Sequence, residues 1–399
     1  MNSSDTLRTQ LTRRGNQALA LGAAGLILAI ILGVMSAHGQ NPWQQFFRSY
    51  LVAYIYWISI PLGCLAILML HHLTGGWWGL PIRRILEAGT RTLPLMAALF
   101  IPILIGMSRI YPWTQPGVIA DDVDNQFKRA YLQPHFFLVR AVVYFAIWLV
   151  LAYLLNKWSA EQDRTGDLRF QQHMEALAGP GAVLWGLAVT AAAIDWVMSL
   201  EPHWFSTIYG FLFIVVELLA AMSFTLVVLR MLSDYEPLKD SADFSQLNDL
   251  GNLMLAFVLL WAYLSFSQLL IVWAGNLRNE IPWYTERAFG GWAPVAVFLL
   301  VLHFFVPFFL LLQRKVKRRL RVLSLVAAAL VVLAFVDVYW LVAPSYDKLR
   351  PHPVLLDLFA VAGIGGVWLG MFLRQLMKLP LLPVHDPRFE GALEHEHGD

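Results

Sequence analysis

The chain has 399 residues, of which 58% are hydrophobic, 14% aromatic and 14% charged, and its formal net charge at pH 7 is +2. This composition lies outside the range of soluble globular domains and predicts a membrane protein. The single cysteine, Cys64, excludes an internal disulfide, a c-type haem attachment and a cysteine-ligated iron–sulfur cluster held by this chain alone.

Long apolar segments recur along the whole chain. A helix needs about 20 apolar residues to cross the hydrocarbon layer, and segments of this length favour helices over the shorter alternating strands of outer-membrane barrels. The sequence predicts ten transmembrane helices, at residues 17–36, 50–72, 91–110, 136–156, 180–200, 207–231, 249–274, 292–312, 320–343 and 354–376. Residues 1–399 are therefore predicted to form one all-α, polytopic integral membrane domain.

The first segment resembles a secretory signal peptide, because Arg8, Arg13 and Arg14 precede it and SAHGQ (36–40) follows it. Its apolar core is longer than that of a signal peptide, and it lacks an A-x-A cleavage site. We therefore interpret it as a retained helix.

The basic residues indicate the orientation of the helices. If the N-terminus is cytoplasmic, 20 Lys and Arg residues lie on the cytoplasmic side and eight on the outer side, while Arg140 lies within a segment. The positive-inside rule then predicts an N-in, C-in topology, with residues 377–399 as a cytoplasmic tail. The basic run RKVKRRLR (314–321) fits the same rule and does not indicate nucleic-acid binding.

Ten polar side chains in or near the apolar segments are candidates for a proton path. An ionisable group at mid-bilayer costs about 2.5–3.5 kcal/mol, so such groups usually face a protein interior or a wet cavity. In the predicted topology nine of these side chains lie at three depths. The group near the outer ends of the helices consists of Arg140, Asp195, Asp337 and Asp357. The group near the middle consists of Glu217 and His303, and the group near the inner ends consists of His71, His72 and Asp249. Tyr263 adds a hydroxyl in the seventh segment. This layering is typical of a proton path.

Glu217 is the most deeply placed carboxyl group, in the run FLFIVVELLAAM (211–222). It lies at least about 15 Å from either end of its predicted helix, too far for its side chain to reach the interface. Two interpretations stay open. A protonated Glu217 could donate a hydrogen bond that fixes a neighbouring helix, or it could take part in proton transfer or quinone contact.

The histidines do not indicate a metal or haem site. His303 alone lies at mid-depth, whereas a membrane haem b needs two histidines at matched depth, and no cluster of zinc or copper ligands accompanies it. We therefore predict no metal ligand and no catalytic residue in this chain. Arg140 and Asp195 could form a buried ion pair with a structural role.

Two blocks carry a resemblance to a known family: HHLTGGWWGLPIRRILEAGTRTLPLMAALFIPI (71–103) and TAAAIDWVMSLEPHWFSTIYG (190–210). They resemble the second ten-helix membrane subunit of alternative complex III, the bacterial quinol:electron-acceptor oxidoreductase, within the NrfD-like (polysulfide-reductase membrane-subunit) family. The match places Asp195, His203 and Trp204 in the family's outer-side motif and His71, His72 and Thr74 in its inner-side block. The family fold implies two four-helix bundles flanked by the first and last helices.

The resemblance also implies partners and cofactors. The expected partners are a sister ten-helix quinol-oxidising subunit, an iron–sulfur subunit, multihaem and monohaem cytochrome c subunits, small membrane subunits, a terminal oxidase and membrane lipid. Haem c, iron–sulfur clusters and quinone are expected in those partner subunits and not in this chain. The function implied is a proton path coupled to quinol oxidation in the sister subunit, within a quinol:cytochrome c oxidoreductase type of respiratory complex of the bacterial inner (cytoplasmic) membrane.

Three other functions stay open. The chain could be a passive scaffold whose buried polar groups give only helix specificity. It could be a second quinone-binding subunit, with Arg140, Asp195 and His303 as candidate contacts. It could also be a secondary transporter, although the paired broken helices expected at mid-membrane are not evident in the sequence.

Overall fold

The computed structural model describes residues 3–35, 43–119, 126–236, 238, 244–347, 355–383 and 386. The described residues contain no β-strand, and ten of their helices are long and apolar enough to cross a membrane. In chain order they are α1 (Leu7–Met35), α2 (Gln44–Thr74), α3 (Trp77–Ile105), α4 (Pro134–Thr165), α5 (Leu168–Leu200), α6 (Tyr209–Leu232), α7 (Gln246–Gly275), α8 (Gly290–Leu312), α9 (Leu320–Ser345) and α10 (Leu355–Leu376). Shorter helices lie at Met107–Ile110, Gln126–Tyr131, Ile281–Ala288 and Arg314–Lys317. The predicted all-α fold with ten membrane-spanning helices is confirmed.

Four helices extend well beyond their predicted apolar segments, and the first of them is α1, which begins at Leu7 and not at residue 17. α3 begins at Trp77 and not at residue 91, α4 continues to Thr165 and not to residue 156, and α5 begins at Leu168 and not at residue 180. The added turns contain charged residues, which an apolar pattern assigns to loops although they are compatible with a helix. Gly166, with a φ of +68°, makes the sharp turn between α4 and α5 that only a residue without Cβ adopts easily.

The ten helices pack as two groups of four with two flanking helices. α2–α5 contact one another, α6–α9 contact one another, and the two groups meet where α2 packs on α6. These two helices form the centre of the protein, since 89% and 83% of the residues in their most apolar stretches are buried, against 22% in α1 and α8. The structure therefore has the arrangement of two four-helix bundles that the resemblance implied.

Glycines allow α1 to pack closely against α10. A Cβ atom at Gly22 would lie 2.4 Å from the backbone nitrogen of Val367, and one at Gly366 would lie 2.5 Å from Cα of Gly22. Backbones can approach this closely only where small residues face each other, as in other membrane helix pairs. Gly366 and Gly370, a G-x-x-x-G pair in α10, both face α1 of the same chain.

Successive helices are antiparallel, so the protein has two faces. We call the face where α1 begins the amino-terminal face; it carries the turns at residues 75–76, 166–167 and 313–319. The opposite face carries residues 201–208 and 276–289. The assignment of the amino-terminal face to the cytoplasm stays a prediction. Of the predicted tail, residues 377–383 and 386 are described, and the remainder lies outside the described residues.

Candidate functional site

Glu217 lies in α6 eight residues after Tyr209, which is about 12 Å along the helix axis. Its side chain is buried, and its Oε2 has no hydrogen-bond partner among the described residues. The carboxyl lines an enclosed cavity of about 20 Å³, whose other walls are Ile55, Ile58, Leu62, Val189, Ala192, Ala193, Trp196, Val197 and Phe213. A water needs about 10–15 Å³ of such space. The cavity can therefore hold one water against the carboxyl group.

Arg140 and Asp195 form a two-pronged ion pair between α4 and α5. Arg140 Nε donates to Asp195 Oδ2 at 2.7 Å, and its Nη2 donates to Oδ1 at 2.9 Å. The hydroxyl of Tyr144 donates to Oδ2 of the same carboxylate at 2.8 Å. The pair thus satisfies most of the polar atoms of the buried aspartate, as a buried charge requires.

Two aromatic rings pack against the Arg140 side of this ion pair. The guanidinium carbon of Arg140 lies 3.7 Å from the ring centre of Tyr131 and 4.4 Å from that of Phe136. Burial, with a further contribution from Asp195, raises the pKa of Tyr131 to about 12, so the phenol stays neutral at physiological pH. Stacking of this kind adds cation–π attraction to the ion pair.

Asp337 and His303 meet at Trp261 within the second bundle. Trp261 Nε1 donates to Asp337 Oδ2 at 2.9 Å, and its ring centre lies 4.6 Å from that of His303. His303 is buried, and neither ring nitrogen has a hydrogen-bond partner among the described residues. It lies in a π-helical stretch, Leu300–Phe305, which precedes Pro307. Such stretches occur where a side chain is turned out of ordinary helical register.

Asp357 lies at the opposite face, where α10 begins, and accepts a hydrogen bond from the hydroxyl of Ser49. Both residues line a polar cavity of about 180 Å³ together with Arg48, Tyr346 and Asp347. The guanidinium carbon of Arg48 is 4.5 Å from the ring centre of Tyr346. Burial raises the pKa of Tyr346, and the positive Arg48 opposes that shift. Asp357 thus lines a polar cavity that is large enough for several water molecules.

The remaining predicted residues lie elsewhere. His71 and His72 are buried at the end of α2, with ring centres 5.6 Å apart, and His71 packs edge-on against Trp78 at 5.4 Å. Asp249 is exposed near the start of α7, and 65% of the Tyr263 side chain is exposed on the outside of that helix. Neither of the last two contributes to an interior cluster.

A group of six charged residues at the amino-terminal face, four of them buried and two half-buried, was missed by the sequence reasoning. We call it the ion network; it consists of Arg83, Arg84, Glu87, Arg91, Asp163 and Asp386. Its centre is Glu87, whose Oε1 lies 3.1 Å from Arg83 Nε and whose Oε2 lies 2.6 Å from Arg84 Nη1. Among the described residues, three guanidinium groups of the network face three carboxylates.

A helical signal for the ion network exists in the sequence. Arg83, Arg84 and Glu87 stand at i, i+1 and i+4, a spacing that pairs charges along one face of a helix. The count of basic residues for the positive-inside rule placed Arg83 and Arg84 in a loop. Only the tertiary structure brings Asp163 and Asp386 to the same place.

Arg287 is a second residue that the sequence reasoning missed. It is fully buried at the opposite face, where its Nη2 donates to Glu201 Oε1 at 2.7 Å, to the carbonyl of Leu341 at 3.1 Å and to Ser345 Oγ at 2.9 Å. Its guanidinium carbon lies 4.1 Å from the ring centre of Trp283. Arg287 therefore ties the ends of α5 and α9 to the connection between α7 and α8.

The predicted residues thus form separate sites and not one continuous cavity. The structure brings together Arg140 with Asp195, and Asp337 with His303, while Glu217 and Asp357 each line a cavity of their own. No group of three or more metal-ligating side chains occurs among the described residues. No protein-family model matches the chain, and no curated protein matches it.

Proposed function

We propose that this protein is an integral membrane subunit of a bacterial respiratory quinol:electron-acceptor oxidoreductase of the alternative complex III type, in which it carries protons while a sister subunit oxidises quinol. The resemblance of residues 71–103 and 190–210 to that family supports the assignment to a respiratory complex. The ten membrane-spanning helices are compatible with it. The proton role depends on the environment of Glu217.

The observation that carries the proton role is the unpaired carboxyl oxygen of Glu217 beside a cavity of about 20 Å³. A carboxyl group that served only to fix a neighbouring helix would donate its proton to that helix. Oε2 of Glu217 has no such partner among the described residues, whereas the cavity offers space for one water. A carboxyl group and a water in contact can exchange a proton.

α2 passes close to polar sites on both sides of Glu217. Val52 lines the polar cavity of Asp357, and Ile55, three residues along α2, lines the cavity of Glu217. Three residues correspond to about 4.5 Å of helix rise. We propose that protons pass between Glu217 and the opposite face through the cavity that contains Asp357.

Toward the amino-terminal face, the ion network is the nearest large group of charges along α2. A Cβ atom at Gly89 would lie 2.8 Å from Cys64 Sγ, so α2 and α3 are in contact two residues from Glu87. The side chains between Glu217 and this network are packed and mostly apolar. Proton transfer across them needs water that enters when the helices move. The proton role of the Arg140–Asp195 and Asp337–Trp261 sites stays a prediction.

The decisive variant is Glu217→Gln in the complete complex, reconstituted into liposomes with a quinol and an electron acceptor. We expect fewer protons translocated per electron, with the rate of quinol oxidation retained, because the amide keeps the shape but cannot release a proton. Glu161→Gln is the matched control, since Glu161 pairs only with Arg164 near the surface. An unchanged proton-to-electron ratio for Glu217→Gln would remove the proton role.

The dry packing between the sites favours a second candidate, a passive scaffold. In that case Glu217→Gln lowers the yield or thermal stability of the assembled complex while the proton-to-electron ratio stays that of the wild type. The same preparation therefore separates the two candidates.

An apolar cavity favours the third candidate, a second quinone-binding subunit. It has a volume of about 490 Å³, lies at the opposite face and is lined by Phe127, Tyr131 and Phe205 among others; this size is typical of small-molecule sites. A photoreactive quinone would then label residues 198–205 of this chain. Labelling confined to the sister subunit would contradict this candidate.

A further inference from the structure

The segment that follows α10 turns back onto the amino-terminal face. α10 ends at Leu376, and within the next residues Leu382 is buried and Leu381 packs against the hydrophobic core. The backbone N–H of Asp386 donates to the carbonyl of Pro383 at 3.1 Å, and the Asp386 side chain is buried as well. A polar tail in free solution would leave these residues exposed.

Asp386 reaches Arg83 in the ion network. Its Oδ2 lies 2.5 Å from Arg83 Nη1, and both side chains are at most 1% exposed. The remaining donors of Arg83 are satisfied by helices: Nε by Glu87 at 3.1 Å, and Nη2 by Ser159 at 3.0 Å and Gln162 at 3.1 Å. Asp386 is therefore the one partner of Arg83 that the segment after α10 supplies.

The charge of the ion network depends on this contact. With Asp386 in place, three arginines face three carboxylates; without it, three arginines face Glu87 and Asp163. Two carboxylates then face three guanidinium groups, and the excess positive charge must be hydrated, because an uncompensated charge is strongly disfavoured in a dry interior. Water would then enter where Asp386 and Leu382 now lie.

We infer that residues 377–383 and Asp386 form a strap that seals the ion network from the solution at the amino-terminal face, with the Asp386–Arg83 ion pair as its latch. The strap is continuous with the last membrane helix, so a pull or a binding partner at the tail can open it. Release of the latch admits water to Glu87, whose side chain is 1% exposed. The strap thereby controls solvent access to the largest buried group of charges described in the protein.

The test measures solvent access with a single reporter thiol in purified, detergent-solubilised protein. Cys64→Ser removes the native cysteine, and Ser159→Cys places a thiol at a position that is 1% exposed and contacts Arg83. In this background we expect slow reaction with a water-soluble maleimide. Asp386→Asn should raise the rate about tenfold or more, since it removes the negative charge that pairs with a buried guanidinium. Glu161→Gln, the surface control, should leave the rate unchanged.

A second reporter thiol is needed because Ser159→Cys itself removes a hydroxyl that hydrogen-bonds to the ion network. Met174→Cys probes the same region, because Sδ of Met174 lies 3.7 Å from Arg83 Nη2 and takes no part in an ion pair. Truncation after Lys378 should raise the rate at both reporters at least as much as Asp386→Asn. If Asp386→Asn leaves both rates at the parent value, the strap does not seal the network, whether or not the truncated chain folds. The thiol readout reports on the strap independently of any proton transport.

Discussion

Gly63 of α2 lies directly against the backbone of Glu217 in α6. A Cβ atom at residue 63 would be 2.0 Å from the carbonyl oxygen of Glu217 and 2.6 Å from Cβ of Ala221. Side chains larger than hydrogen cannot occupy this position unless the two helices separate. The contact between the two central helices therefore sets the position of the Glu217 carboxyl relative to α2.

Gly63→Ala should destabilise the protein by about 1–3 kcal/mol, because an added methyl group at a packed contact forces the backbones apart. Thermal unfolding in detergent measures the loss. Gly179→Ala is the control: it adds the same methyl group in α5, where the nearest atom is 3.8 Å away. Equal unfolding temperatures for the two variants would contradict the tight α2–α6 contact.

Gly22→Ala should loosen α1 from α10. The new Cβ would lie 2.4 Å from a backbone nitrogen of α10, whereas a Cβ at Gly15 meets its nearest atom at 3.6 Å. Spin labels at Arg14 and Lys378, near the ends of the two helices, report their separation. We expect a longer or broader distance distribution for Gly22→Ala and the parent distribution for Gly15→Ala. The reverse ranking would contradict the close approach of α1 to α10 at Gly22.

Removal of one partner of the Arg140–Asp195 pair should cost more stability than removal of both. Asp195→Leu leaves a buried guanidinium without its carboxylate, which costs about 3–5 kcal/mol. The double variant Arg140→Met/Asp195→Leu leaves no unpaired charge and should recover much of that loss. Thermal unfolding of the single and double variants measures the coupling.

A surface pair provides the comparison for this coupling. Arg230 and Asp234 lie 3.0 Å apart, with 27% and 72% of their side chains exposed. Arg230→Met should change the unfolding temperature little, because exposed ion pairs contribute about 0–1 kcal/mol. If the stability losses of the single variants at Arg140 and Asp195 simply add in the double variant, the hydrogen bonds between these two residues do not couple in solution.

Arg287→Lys should loosen the opposite face. A lysine keeps the charge but cannot donate from a planar fork to Glu201, Leu341 and Ser345 at once. We expect faster limited proteolysis within residues 276–289. Arg278→Lys makes the same exchange at an exposed position in that connection and should leave the cleavage rate unchanged.

The sequence predicted the fold well because the bilayer imposes a strong and local signal. Ten apolar segments correspond to ten helices. The helix ends were less predictable, since charged turns such as that around Arg83 and Glu87 have the composition of loops. Apolar content cannot distinguish a charged loop from a helix whose charges are buried against one another.

The site was harder to predict than the fold because depth in the membrane says nothing of direction around a helix. Tyr263 and Glu217 both lie in the interior of apolar segments, yet one is 65% exposed and the other is buried. The contact between Arg83 and Asp386 joins residues 303 positions apart, and no periodicity connects them. Such contacts emerge only from the tertiary packing of the helices.

The pairing of α1 with α10 has a consequence for biogenesis. α1 packs chiefly on α10 and has little contact with the helices that follow it directly in the chain. During synthesis α1 enters the bilayer first and therefore stays largely surrounded by lipid until α10 emerges from the ribosome. The α1–α10 contact therefore forms last. In a chain whose synthesis stops before α10, α1 lacks its main packing partner and is accessible to quality-control proteases.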